Sequence, residues 1–422
     1  MTFNPYASSP FSYVSAPSAA PYSIVELMPG ARNLIRYAGV APGERLLLLV
    51  EHTVDPVVVQ AIAAAAAYRD ADVHLLSVSP FSPGGWDRDA CHRIATAAFR
   101  EADVVISSTW WGEVHTAPLF FSQIRAQGVR FVSLHMTATG GALITGARFP
   151  NDVFYELLRR TLQRMSTAET IRVTSAGGTD LTFSGMVFDP DQGPPRPGEW
   201  RPFPYGGVNF WPKNTEGVLV VEDCTVTGVP EEPVRITLEG NLVRGIEGGA
   251  AAEHLRRYAP GGYYMRHALM GLNPKVRVAG GTQFEREKHA GAFYCGLDGL
   301  TDGAPVTSGP GFAHCDCQID RPTVTVDGEP FVSDGRLLLL DAPEIREVAA
   351  RFGPPEVILD DNPVMILPPR YTGGREPADR DETGDGHGAA DGLEPAGERP
   401  PAPAGQPSDP VAEAVSTPSS AR

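Results

Sequence analysis

Lysine is nearly missing: Lys213, Lys275 and Lys288 are the only three in 422 residues, and arginine supplies the other basic side chains. With 35 Lys+Arg against 51 Asp+Glu the formal charge is -16. No basic stripe is present to meet a phosphate backbone, which argues against nucleic acid as a partner. Scarce lysine beside abundant Ala, Gly and Pro reads as a GC-rich coding bias and carries no function. Long apolar runs are missing too: no window approaches the ~18 residues of a membrane span. The first twenty residues are rich in Pro, Ser and Tyr and lack the basic start and apolar stretch of a secretion signal. Five cysteines, Cys91, Cys224, Cys295, Cys315 and Cys317, are scattered and odd in number. That argues against a disulfide framework and makes free thiols in a reducing cytoplasm the expectation. Cys315 and Cys317 form a C-x-C without a second Cys/His pair at zinc-ribbon spacing, so no structural zinc is expected. No G-x-G-x-x-G follows a candidate strand and no Walker loop exists, so a dinucleotide or P-loop site is not expected.

What is there divides by composition. Residues 371–422 carry ten acidic residues and four Arg among many Pro, Gly and Ala. Such a tail buries too little apolar surface to offset its ordering entropy, and disorder is expected there. Residues 1–23 are expected to be a flexible lead-in. Between 24 and 169 apolar runs alternate with helical patterns: Arg45–Glu51 reads as a buried strand, and Asp55-Pro56 as the cap and first residue of an Ala-rich helix. Strands at 73–78, 103–107 and 131–134 and a helix at 87–100 continue the alternation. This predicts an open, mostly parallel α/β sheet, whose ligands gather at the carboxyl ends of its strands. From residue 170 to about 370 short β-type runs are separated by turns such as Glu239-Gly240-Asn241 and Asp327-Gly328, with one helix at 249–258. The expected fold class is α/β: the parallel domain, a C-terminal β-rich α+β domain that carries the chemistry, and the tail.

Phe312-Ala-His314-Cys-Asp316-Cys is the sharpest local feature. On a strand His314 and Asp316 project to one side, Cys315 and Cys317 to the other. An imidazole and a carboxylate so placed can share one divalent ion, and a second His completes the facial triad of non-haem Fe(II) oxygenases. An H-x-D pair equally describes a half-buried His bonded to its neighbour. His267, in Tyr264-Met-Arg-His267-Ala-Leu-Met-Gly271-Leu-Asn-Pro274, is by itself a lone His. Glu285-Arg-Glu-Lys288-His-Ala-Gly291-Ala-Phe-Tyr294-Cys-Gly-Leu-Asp298 reads as a solvated loop feeding a strand.

Taken in order, these segments resemble the metallo-aminopeptidase superfamily of thermophilic leucyl aminopeptidases. The matching stretches are Pro204-Tyr-Gly206-Gly207-Val208, His267 ahead of Gly271-Leu-Asn273-Pro274, Glu287-Lys288 through Gly291 to Tyr294, and His314-Cys-Asp316. The departures carry the inference. Gly207 stands where the peptidases have their first glutamate ligand, His267 where they have the second, and Tyr294 where they have a histidine. Thr301 falls where a catalytic Tyr is expected. What remains, His267, His314 and Asp316, is similar to the branch that contains the 2,5-dihydroxypyridine 5,6-dioxygenases. That resemblance implies a single Fe(II) on those three residues, with a His from the α/β domain as acid/base, for which His115 is the positional candidate. It implies a small aromatic substrate and dioxygen as partners, and extradiol-type cleavage of a hydroxylated N-heteroaromatic ring. Trp110, Trp111, Trp200, Phe203, Phe210 and Trp211 are candidates for flat substrate walls or for core. Arg201 and Arg266 are candidates to hold a substrate carboxylate. Trp111, Arg201, Arg266 and Tyr294 are therefore the expected substrate contacts, and His115 and Thr301 the expected catalytic residues. A cytoplasmic homo-oligomer without membrane attachment is expected.

Two other classes fit the same residues. A single-zinc peptidase or amidase would use Glu287 as base and work under nitrogen. A binding protein with a vestigial His-x-Asp site would hold no stoichiometric metal.

Overall fold

The computed structural model describes residues 23–78, 88–109, 118–134, 140–188, 193–204, 206–278, 282–306, 313–363 and 365. The N-terminal and acidic C-terminal segments singled out above lie outside this set, except for Ser23. The chain is a mixed α/β structure built on two sheets.

The first sheet is parallel and has the order β2-β1-β3-β4-β8. Its strands are β1 (Arg45–Glu51), β2 (Asp72–Val78), β3 (Val104–Ser108), β4 (Arg130–Ser133) and, from far along the chain, β8 (Trp200–Pro202). The helices between them are α2 (Pro56–Ala67), α3 (Arg88–Phe99) and α4 (Pro118–Gln127), preceded by α1 (Ile24–Tyr37). Local chemistry sets their limits. Asp55 caps α2 by accepting from Val57 N–H, with Pro56 in the first turn, where its missing N–H costs nothing. Ser23 and Glu26 form a capping box at the start of α1. The unbroken apolar run of β1 is explained by two covered faces. Leu46, Leu48 and Val50 face the main core with α1 and α2, whereas Leu47 and Leu49 pack with Phe99 of α3 and Ile124 of α4.

The second sheet has 15 strands among the described residues, and its pairings are antiparallel. In chain order its strands are β5 (Thr170–Thr174), β6 (Asp180–Ser184), β7 (Val187–Phe188), β9 (Gly207–Trp211), β10 (Asn214–Val221), β11 (Asp223–Cys224), β12 (Val234–Glu239) and β13 (Leu242–Glu247). They continue with β14 (Tyr263–Gly271), β15 (Phe293–Thr301), β16 (Ala304–Pro305), β17 (His314–Ile319), β18 (Thr323–Val326), β19 (Glu329–Ser333) and β20 (Arg336–Leu337). The spatial order of the main path is β11-β17-β15-β14-β13-β12-β10-β6-β5-β18-β19-β20, and β9 pairs with β14. One apolar core joins α1, α2 and the first sheet to the inner face of the curled second sheet, from Leu27 to Leu359. Phe210, offered above as a wall or as core, belongs to this core, with its ring 5.6 Å from Phe183. Phe203 is core as well, 5.3 Å from the Tyr37 ring.

The charged run from Glu285 to Lys288 is a correction to the solvated loop expected from sequence. It forms a short helix (Gln283–Arg286) and its C-cap, and Glu285, Glu287 and Lys288 are all buried. Pairing makes this possible: Arg277 donates to both Glu285 oxygens, and Lys288 Nζ donates to Glu287 Oε1 at 2.6 Å. No described helix is long and apolar enough to cross a membrane.

Candidate metal centre

Three neighbouring strands, β14, β15 and β17, build the site by register alone. His267 on β14 lies opposite Gly296 on β15, and Gly296 lies opposite Asp316 on β17. One step along, Asp298 of β15 lies opposite His314 of β17. Cys295 and Leu297 of β15 and Cys315 and Cys317 of β17 point into the core, so Gly296, Asp298, His314 and Asp316 share the other face.

His267 reaches that face through an irregularity. Tyr263 and Met265 are core residues, as are Ala268 and Met270, so the inward parity of β14 changes between Met265 and Ala268. The pairing register shifts at this point, leaving Arg266 as the extra residue of a β-bulge. The bulge turns Arg266 and His267 toward the same side. Gly296 then makes room: a Cβ there would lie 2.3 Å from His267 Cε1 and 2.6 Å from its Nδ1. The imidazole therefore lies flat across the backbone of the central strand and reaches toward the strand beyond.

The donor atoms of His267, His314 and Asp316 all fall within 4.8 Å of one another. His314 Nε2 is 3.0 Å and His267 Nε2 3.9 Å from Asp316 Oδ1. The two imidazoles are stacked, with centroids 5.6 Å apart and planes 11° from parallel. Asp298 Oδ1 stands 2.6 Å from His314 Nδ1, and Arg266 Nε is 3.7 Å from Asp298 Oδ2. A carboxylate behind a histidine fixes its tautomer and aims the other ring nitrogen, the usual support of a metal-bound imidazole. The backbone of Asp316 is held as well: its N–H donates to Thr225 Oγ1 at 2.8 Å, and its carbonyl accepts from Thr225 N–H and from Gln283 Nε2.

Burial lowers the His267 pKa to about 4, against the pull of Asp316. Burial acts on His314 in the same direction, but Asp316 and Asp298 outweigh it and hold its pKa well above the usual imidazole value. The site thus gathers two carboxylates around one imidazole, beside a second imidazole that stays neutral. A divalent cation suits this donor set. The glycine cradle, the converging atoms and the supporting Asp298 all fit a metal held by His267, His314 and Asp316.

A family model described as 2,5-dihydroxypyridine 5,6-dioxygenase (NicX) matches residues 26–339. The chain belongs to this family. Among solved structures, this member of the family is similar to a 2,5-dihydroxypyridine dioxygenase from Pseudomonas putida KT2440, with 21% identity and a TM-score of 0.60, covering 77% of this chain and 99% of that one. It is also similar to the AmpT protein of Thermus thermophilus, with 13% identity and a TM-score of 0.53, covering 74% and 99%. These two likenesses bear on the fold. No curated protein sequence matches the chain significantly.

Against this family background the sequence-predicted residues fall in distinct places. His267, His314 and Asp316 come together as described, with Arg266 beside them. Tyr294 sits on the same face of β15, one pair along from Gly296, its ring 6.1 Å from that of His267 and edge-on to it. Buried Glu287 lies near Tyr294 and Asp316; burial raises its pKa, with Lys288 opposing and Asp316 adding to the rise. Arg201 is on β8 of the other sheet, where its Nη2 is 3.2 Å from Glu199 Oε2. Thr301 is exposed at the far end of β15, paired with Ala304. His115, Trp110 and Trp111 lie outside the described residues. At Gly207 a Cβ would meet Leu269 Cδ2 at 2.8 Å, so leucine fills that space. Sequence reasoning missed Asp298 and Gly296. The signal for both was the alternation Tyr294, Gly296, Asp298, which faces them to the same side as His314 and Asp316 once the strands are paired.

Proposed function

We propose that this chain is a non-haem, Fe(II)-dependent dioxygenase that opens a hydroxylated N-heteroaromatic ring of the 2,5-dihydroxypyridine type, inserting both atoms of dioxygen. The observation that carries the reading is the register-built set of two imidazoles and one carboxylate, His267, His314 and Asp316, in a member of this family. His267, His314 and Asp316 would hold a ferrous ion through two nitrogens and one oxygen. When bound, the ion would bring an electron-rich ring and dioxygen together.

The protein side chains then have separable tasks. Asp298 holds His314 so that Nε2 faces the shared centre. Arg266, brought to the same face by the bulge, adds positive charge where a substrate hydroxyl becomes an oxyanion, and is assigned to bind it. Tyr294 forms part of the wall beside His267. His115, from the segment after β3, is assigned to remove the ring hydroxyl proton, a task worth ~10²–10⁴-fold in rate. A hydrolytic two-ion site is disfavoured because Leu269 fills the space at Gly207 and a tyrosine occupies position 294.

The test is anaerobic purification with metal analysis, followed by oxygen-electrode assays on hydroxylated pyridines, aminophenols and dipeptides. One iron per chain and oxygen uptake equimolar with 2,5-dihydroxypyridine consumed are expected. Dipeptide cleavage under nitrogen that zinc restores after chelation would overturn the assignment.

A further inference from the structure

The core face of β17 carries a second set of donors, back to back with the first. Cys315 and Cys317 point inward from the strand whose outer face presents His314 and Asp316. Cys224 of β11 is the direct pairing partner of Cys317. The three sulfurs lie within 4.8 Å of one another, Cys315 and Cys317 at 4.0 Å, and none of the three residues is exposed. From sequence, C-x-C lacked a partner; the fold supplies Cys224, 91 residues upstream of Cys315, which no local spacing indicates.

We propose that Cys224, Cys315 and Cys317 bind one soft monovalent cation, copper(I), in a trigonal all-sulfur site. Geometry and ligand softness point the same way. Sulfurs bound at about 2.3 Å stand roughly 4.0 Å apart around a trigonal ion and about 3.8 Å apart around a tetrahedral one. The Cys315–Cys317 separation of 4.0 Å matches the trigonal value, and all three sulfurs lie within 4.8 Å of one another. A divalent ion would prefer a fourth ligand, and the three thiols are the whole donor cluster found here among the described residues. On binding copper(I), the thiols that ligate it bind as thiolates and give their protons to bulk water, the ion's positive charge offsetting one of the negative charges so formed. Soft sulfur ligands select such an ion over the ferrous ion that the N,N,O set on the opposite face prefers. The sulfur of Cys224 is positioned for this by its own turn. Gly228 N–H donates to Cys224 O, Cys224 N–H donates to Gly228 O, and Val226 N–H donates to Cys224 Sγ at 3.4 Å. The ion would tie the β11 turn, which also supplies Thr225 to Asp316, to the strand that carries the catalytic donors.

The experiment uses the full-length, iron-free chain under nitrogen. Copper(I) is supplied as its bathocuproine disulfonate complex to the folded protein, and in parallel by copper supplementation during expression, because the sulfurs are enclosed. Wild type is expected to retain one copper per chain and to show a thiolate-to-copper charge-transfer band in the near ultraviolet. Cys295→Ser, one strand over and outside the cluster, should behave as wild type, and Cys224→Ser should bind at least about 100-fold more weakly. A second measurement needs no variant: X-ray absorption at the copper edge of the loaded, folded chain should show three sulfur neighbours at about 2.3 Å and no nitrogen or oxygen ligand. No copper retained by either route, unaltered uptake by Cys224→Ser, or a copper environment without three sulfurs would overturn the proposal.

Discussion

Replacing Gly296 with alanine tests the site at its least obvious point. The new methyl group would stand 2.3, 2.6 and 2.8 Å from Cε1, Nδ1 and Nε2 of His267, on a strand paired on both sides. Restoring ordinary contact requires the imidazole to move by roughly 1 Å, since carbon contacts settle near 3.5–4.0 Å. Metal ligands tolerate about 0.2 Å. A 1 Å displacement can cost about 10²-fold in catalysis, and a similar loss of ferrous affinity is expected. The fold should tolerate the change, because the His267 side chain keeps some solvent contact and can swing outward. A destabilisation of about 1 kcal/mol is expected, at the low end for overpacking. Gly245→Ala is the matched control: the nearest atom to its added methyl is Thr237 Oγ1 at 3.9 Å. The assays are ferrous binding under nitrogen, oxygen uptake and thermal unfolding on both variants. Wild-type iron affinity in Gly296→Ala would mean that His267 does not cross the glycine to reach the centre, and the assignment of His267 as a ligand would fall with it.

Other perturbations act on separate parts of the argument. Asp298→Asn should lower metal affinity by about 10–100-fold, measured by competition with a chelator, because His314 loses its orienting carboxylate. Metal-free chain should be most stable near the ordinary imidazole pKa. Below it the depressed pKa of His267 withdraws stability as pH falls toward about 4, and above it the raised pKa of His314 withdraws stability as pH rises through that value. Unfolding temperature against pH should therefore peak, a monotonic curve counting against this pairing, and ferrous affinity should rise with pH as His314 loses its proton. Lys275→Met removes a fully buried amine that donates to Val357 O, Asn362 O and Asp360. It should cost about 3 kcal/mol in denaturant unfolding while leaving iron stoichiometry at one. Chelation should abolish oxygen uptake, which Fe(II) and not Zn(II) should restore.

How far these features could be read in advance depends on the range of the physics behind them. Asp55-Pro56 and the apolar run of β1 are local: a cap bonds two residues away, and a strand covered on both faces has no polar positions to alternate. The shared face of His314 and Asp316 follows from the same short period. Arg266 is different. A bulge exists only relative to a partner strand, so nothing in Tyr264-Met-Arg-His267 marks where parity changes. Gly296 is harder still, because glycine in a run of β-formers reads as a weakness, and its use here is the space it leaves for a ring from the next strand. The run from Glu285 to Lys288 misled for an energetic reason. Four consecutive charged residues are cheapest in water unless each meets a partner, and one of the partners, Arg277, sits beyond the local window. β8 is three residues ending in Pro202 and becomes a strand only because β4 offers it an open edge.

Strands in register place two imidazoles and one carboxylate together on a fold similar to that of the AmpT protein of Thermus thermophilus. Because three strands in register set the positions, the side chain at a given row decides which donor faces the centre. Leu269 occupies the space over Gly207, and on the proposed reading His267 supplies a nitrogen to a single ion. The exchange at 267 works only with glycine at 296. A change of metal chemistry on this sheet therefore requires at least two coordinated positions on adjacent strands, and His267 in a relative that carries a larger residue opposite it should not bind iron.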